Sequence, residues 1–156
     1  MTQNTEDTSA QRRRWLAVLA HAPRQALAHH APPVLADHRF EWLRRPEVGL
    51  AMVRARIGNA GDRFNLGEAT VTRCAARIEL GGAVAVGVGY LLGRDVQRAE
   101  WVAGLDALLQ LPSQQALLLQ TVIAPLAEAA AETRRRRELR TAASRVRFYT
   151  LQTEAA

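Results

Sequence analysis

Apolar positions recur with two different periods along this chain, and the changes of period divide it into three stretches. Trp15, Leu16 and Leu19 stand at helical spacing behind Thr8 and Gln11, a possible capping box. Residues 1–8 are polar and read as a disordered tail, and the helix should stop before Pro23. A second short helix is expected from Arg24 to His30, closed by the Pro32-Pro33 pair.

From Phe40 the period becomes two. Between Val48 and Ile57, the residues Val53, Ala55 and Ile57 share one face while Arg54 and Arg56 take the other. Gly58-Asn59-Ala60-Gly61-Asp62 is a turn signal. In the run Thr70–Leu80, Thr72, Cys74, Ala76, Ile78 and Leu80 fall on one face, opposite Arg73, Arg77 and Glu79. Gly81-Gly82 suits a tight hairpin. The third run sets Val84, Val86, Val88 and Tyr90 against Ala85, Gly87, Gly89 and Leu91, a face of mainly small residues that predicts the close approach of another backbone.

The helical period then returns. Asp95 opens a helix whose stripe is Trp101, Val102, Leu105, Leu108 and Leu109, ending at Pro112. Another helix starts near Gln114, and Pro125 must break, kink or restart it. The Ala/Glu/Arg-rich stretch from Pro125 to Ala143 is strongly helical by propensity. Val146, Phe148 and Leu151 suggest a short final strand. The pattern predicts an α+β fold: a central antiparallel sheet, made of a meander plus a C-terminal strand, with helices at the N-terminus and in the C-terminal half. A single domain is expected over residues 9–151, with a tail at 152–156.

Charge alters this picture more than overall composition does. There are 21 basic and 15 acidic side chains, net +6, and every basic residue is arginine. Each is a permanently charged planar fork suited to carboxylate or phosphate. No apolar run approaches the ~20 residues of a membrane span, and the N-terminal stretch lacks the apolar core of a secretion signal, so a cytoplasmic location is expected. Cys74, the single cysteine, excludes an internal disulfide, and its apolar strand face predicts a buried, inert thiol. The four histidines lie between His21 and His38 without metal-ligand spacing, so no metal is expected. There is no lysine and no phosphate-binding loop of the kind a lysine completes.

The most distinctive run is Phe64-Asn65-Leu66-Gly67-Glu68-Ala69-Thr70-Val71-Thr72-Arg73-Cys74. Alternation puts Glu68, Thr70 and Thr72 on one side and Arg73 on the other. Taken alone, such residues are ordinary strand formers and solvated or paired charges. The string from Asn65 to Arg77, however, resembles the signature of the PhnG family. So do, in the same order along the chain, Gly89–Asp95 with its Gly93-Arg94-Asp95, then Ala99-Glu100, Ile123–Leu126 and Ala143–Thr150. The resemblance runs from about Trp15 to Leu151, and Arg98 stands where the family usually has histidine.

The resemblance implies assembly with PhnH-, PhnI- and PhnJ-like subunits in a carbon–phosphorus lyase core complex. There the family, with PhnL, supports transfer of a phosphonate onto the ribose of ATP with release of adenine. It implies an accessory chain, non-catalytic alone, with no cofactor of its own; ATP and phosphonate are substrates of the complex. The residues it singles out, as interface or anion contacts, are Gly67, Glu68, Thr70, Thr72, Arg73, Arg94, Asp95 and Arg98. Catalytic residues are not identified. At Arg98 a hydrogen-bond donor or cation in the helix's first turn, its stem on apolar surface and its head reaching out, suits the change better than a general base, since arginine keeps its proton. Two other readings remain open: a basic nucleic-acid or polyanion-binding domain, and a nucleotide-handling enzyme using Glu68, Arg73, Arg94 and Asp95. The run Arg134–Arg137 points to several sides of a helix, holds no aromatic for base stacking, and has Glu132 and Glu138 at i,i+4 spacing.

Overall fold

The computed structural model describes residues 2–144. Two helices, α1 (Thr2–His21) and α2 (Arg24–Leu35), lead into three strands, β1 (Glu41–Arg56), β2 (Arg63–Leu80) and β3 (Ala83–Leu92). Helices α3 (Val96–Leu109), α4 (Pro112–Leu118) and α5 (Ala124–Ala143) follow, with a π-helical turn at Leu119–Ile123 joining the last two. The strands form an antiparallel meander in the order β1-β2-β3, confirming the α+β class. The expected strand at Val146–Leu151 and the tail at 152–156 lie outside the described residues.

Two N-terminal boundaries differ from the sequence reading. Helix α1 begins at Thr2, so residues 2–8 are helical and Thr8 lies inside the helix instead of capping it; no glycine or proline interrupts the chain before Pro23. Helix α2 continues through Pro32 and Pro33 to Leu35. Proline's fixed φ is compatible with helix, and the carbonyls that lose a donor belong to the exposed Ala28 and His29. Burial of Ala31 beyond them, with Val34 and Leu35 packed on the core, outweighs the two lost bonds. Pro125 is accommodated near the start of α5 just after the wide π turn, where helices commonly absorb such a break.

Helix α3 is the centre of the molecule, with nine of its 14 residues buried. One side lies on β2 and β3; the other is covered by α1, α2 and α4. Trp15 and Leu19 from α1, Leu27 and Ala31 from α2, and Val102, Leu105 and Leu108 from α3 fill the layer between helices. The small face of β3 does what its sequence predicts. A Cβ on Gly87 would lie 1.9 Å from the Ala103 carbonyl oxygen, and one on Gly89 2.2 Å from that of Ala99. Ala99, Ala103 and Ala107 recur at i,i+4 and form the matching stripe on α3.

This close approach lets a buried carboxylate reach the outer side of β3, the edge strand among the described residues. Asp106, with 0% of its surface exposed, accepts the Trp15 Nε1–H at 2.8 Å, the Arg12 Nη2–H at 2.7 Å and the Val88 backbone N–H at 2.9 Å. Arg12 and Gln110 both donate to the Val86 carbonyl, at 3.1 and 2.8 Å. Side chains thus occupy edge groups of β3 that another strand would otherwise use.

We expect Gly87→Ala to destabilise the chain by at least about 3 kcal/mol, because backbone and not a flexible side chain stands in the way. Asp106→Ala should cost about 3 kcal/mol, because it strands the indole and Val88 donors while Arg12, partly exposed, can turn to water. Urea denaturation of both variants measures these losses.

Candidate functional site

The motif residues do not form one site. They divide into a buried joint, a point on the outer sheet face, and a β-ribbon that runs past the helix layer.

The joint lies where β3 hands the chain to α3. Gly93 turns with φ +93°, a conformation that favours glycine, and its N–H donates to the Thr70 carbonyl at 2.8 Å. Thr72 is fully buried; its hydroxyl donates to the Gly93 carbonyl at 2.7 Å and accepts the Asp95 N–H at 3.1 Å. Asp95 is the N-cap of α3 and accepts the Arg98 N–H at 3.1 Å. The same carboxylate oxygen pairs with Arg24 of α2, whose guanidinium lies 5.7 Å from the centre of the Trp101 ring.

Arg98 completes the joint, and its head does not reach out to solvent as the sequence suggested. Its Nη2 donates to the Ala20 carbonyl at 2.7 Å, in the last turn of α1, where carbonyls lack helical partners and the helix dipole favours a cation. Its Nε is buried without a hydrogen-bond partner. In this chain Arg98 acts as a hydrogen-bond donor and a cation at a helix end.

The other motif residues stand apart. Arg73 is on the opposite sheet face, where it pairs with Glu47 across β1 at 2.7 Å. Arg94 is exposed, one residue before the cap. Gly67, with φ +155°, adjoins a bulge: Val53 opposes Gly67 and Arg54 opposes Asn65, leaving Leu66 as an extra residue on β2. Glu68 is exposed opposite Met52, and Thr70 is half-buried opposite Leu50. Glu68, Arg73, Arg94 and Asp95, the set a nucleotide-handling enzyme would need, are thus distributed over three places.

Cavities do not supply what the motif lacks. A concavity of about 680 Å³ opens along α5 between Arg134, Arg137, Glu138 and Thr141, and none of the singled-out residues from Gly67 to Arg98 lines it. A pocket of about 180 Å³ between Phe40, Trp42, Glu100 and Trp101 is smaller than the ~300 Å³ at which ligand sites usually begin. Among the described residues no three His, Cys, Asp or Glu side chains converge as a metal site requires. His29 and His30 meet edge to face at 5.0 Å, and His21 hydrogen-bonds the Ala17 carbonyl of its own helix.

Cys74 is buried against α3. Burial pushes its thiol up to about 11, with a contribution from the nearby Glu100 charge, while a backbone hydrogen bond at Gly89 opposes the rise. In the arginine run, Glu132 takes both Arg135 (3.1 Å) and Arg136 (2.8 Å), and no ion pair among the described residues joins Arg134 to Glu138.

These features define a class: a small α+β module in which part of the distinctive sequence ties helices to the sheet and whose sheet continues past its core. Comparison with known proteins makes the class particular. The family model for phosphonate metabolism protein PhnG matches residues 10–153. The chain is also 42% identical over 142 residues to the α-D-ribose 1-methylphosphonate 5-triphosphate synthase subunit PhnG of Rhizobium meliloti (strain 1021), covering 91% of this chain and 88% of that one. The chain belongs to the PhnG family.

Thr72→Val should destabilise the fold by about 1–3 kcal/mol through unsatisfied groups at the joint, and Asp95→Ala by about 0.5–2 kcal/mol through the lost cap. Arg94→Ala should stay within about 0.5 kcal/mol of wild type, because the side chain is exposed and joins no hydrogen bond or ion pair among the described residues. Chemical denaturation of the three variants separates joint from surface.

Cys74 should resist iodoacetamide in the native chain and react on unfolding. Its raised value means that the native state keeps the thiol proton between pH 9 and 11 while the unfolded chain releases it. The resulting stability is intact below pH 9 and declines as the pH climbs toward 11. Melting curves should therefore fall more steeply over that window for wild type than for Cys74→Ala.

Proposed function

We propose that this chain is an accessory, non-catalytic subunit of a carbon–phosphorus lyase core complex. It supports the step in which a phosphonate such as methylphosphonate is transferred onto the ribose of ATP and adenine departs. Its partners are PhnI-, PhnH- and PhnJ-like subunits in the cytoplasm, and ATP and phosphonate are held by the complex, with no cofactor belonging to this chain.

The observation that carries this reading is the commitment of the motif side chains to the fold. Asp95 is occupied by the cap and Arg24, Thr72 lies between Gly93 and Asp95, and Arg98 closes the end of α1. A catalytic acid or base needs a lone pair or proton directed at a substrate, with an orienting partner behind it. Thr72 and Arg98 do not meet that requirement, and Asp95 spends its Oδ1 on the cap and Arg24. A subunit role also suits the row of exposed apolar side chains on β3, from Val84 to Leu92, and those on β1. The polyanion-binding reading draws less support, since two arginines of the α5 run share Glu132. No described helix is long and apolar enough to cross a membrane.

The purified chain should release no adenine from ATP, with or without methylphosphonate. Co-expressed with PhnI-, PhnH- and PhnJ-like subunits, it should be retained with them through size-exclusion chromatography. Turnover by the isolated chain, or failure to associate with any of those subunits, would overturn the proposal.

A further inference from the structure

The first half of β2 pairs with β1 where no helix lies beneath them, and no described side chain between Val48 and Ala69 is buried. A two-stranded ribbon with neither face covered is marginal in water. This one nevertheless carries large apolar residues: Leu50 is 62% exposed and Met52 52%. The register sets Val48, Leu50 and Met52 opposite Thr72, Thr70 and Glu68, so they occupy the same sheet face as the core but beyond the edge of α3.

Continuing along that face, alternation brings Arg54 and then Arg56. Arg56 is paired directly with Arg63, two like charges facing each other across the strands, an arrangement that destabilises a ribbon left to itself. Neither Arg54 nor Arg63 joins an ion pair among the described residues, and Arg56 reaches only the Gly61 carbonyl, at 3.4 Å. One surface therefore runs from apolar at the root to cationic at the tip, and no ion pair among the described residues neutralises the tip.

We propose that this helix-side face of the β1–β2 ribbon is the docking surface for a partner subunit of different sequence. That subunit lays an apolar segment on Val48, Leu50 and Met52, continuing the helix layer outward, and sets carboxylates against Arg54, Arg56 and Arg63. The proposal rests on the accessory-subunit reading. A second copy fits less well: the ribbon's own carboxylates are Asp62 and Glu68, too few to answer three arginines from each copy. Nucleic acid would answer the arginines but leave the apolar root in water.

The test uses the full-length tagged chain co-expressed with its PhnI-, PhnH- and PhnJ-like subunits. Leu50→Glu/Met52→Glu and Arg54→Glu/Arg63→Glu should each reduce subunit retention by about tenfold or more, as removal of a central contact does, while Arg135→Glu/Arg136→Glu on α5 leaves it unchanged. Circular dichroism of each isolated variant should match wild type. If a variant misfolds, hydrogen exchange of the wild-type complex decides: slowed exchange over residues 48–57 supports the docking surface, and unchanged exchange there overturns it. Retention of all subunits by both folded ribbon variants also overturns it. So does a wild-type homodimer that the variants convert to monomer, which would make the face a self-interface. Failure of the wild-type chain to retain any subunit would instead sink the accessory-subunit reading on which the proposal stands.

Discussion

The structure depends on how closely α3 lies against β3. Glycine at positions 87 and 89 removes the side chains that would hold the two backbones apart, and the stripe Ala99, Ala103 and Ala107 does the same from the helix. Close approach brings many dispersion contacts where the buried residues of α3 meet the sheet. It also determines where Asp106 ends up. From a helix seated that deeply, a short carboxylate can reach the Val88 N–H at the sheet edge while holding Trp15 and Arg12 of α1. Burying this charge is tolerable because charged or polar donors surround it. One side chain thereby joins the first helix, the central helix and the last strand of the sheet.

The Thr72–Gly93–Asp95 joint is the counterpart at the other end of α3. It fixes the angle at which the chain leaves β3, and through Arg24 and Arg98 it ties the helix start to α2 and α1. Part of the family's recognisable sequence, Thr72 with Gly93, Asp95 and Arg98, therefore lies where three helices and the sheet converge. Such a motif can look catalytic in a linear sequence, since Thr, Asp and Arg are also the residues of active sites. Here their hydrogen bonds close on one another and on backbone groups, which is the behaviour of a structural joint.

The sheet itself has two regions with different requirements. Where α3 covers it, β2 alternates between buried small or apolar residues and half-exposed charges, and the charges pair across strands, as Arg73 does with Glu47. Past α3 the same strands continue without a covering layer, yet keep the apolar composition of a buried face. A chain that folded only for itself would gain little from extending β1 and β2 this far. The extension becomes intelligible when the protein's stable form includes its neighbours.

Much of this was legible in the sequence, because the period of hydrophobic residues is set by local geometry. The meander, its glycine turns, the small face of β3, the cap at Asp95 and the buried face bearing Cys74 all follow from alternation and turn chemistry between Thr70 and Leu109. The family followed from motifs in order along the chain. What the sequence could not decide were matters of distance between elements. Pro32 and Pro33 stay within α2 because Ala31 and Leu35 are drawn into the core, a tertiary gain that local propensity does not contain. Arg98 points to α1 because the end of that helix happens to lie there, 78 residues earlier in the chain. Asp106 had no role legible within its helical stripe, since nothing local marks a carboxylate with partners 91 and 94 residues away. Nor could alternation distinguish the covered part of the sheet from the bare ribbon. The period of two is the same in both, and only the position at which α3 ends separates a core face from a surface waiting for a partner.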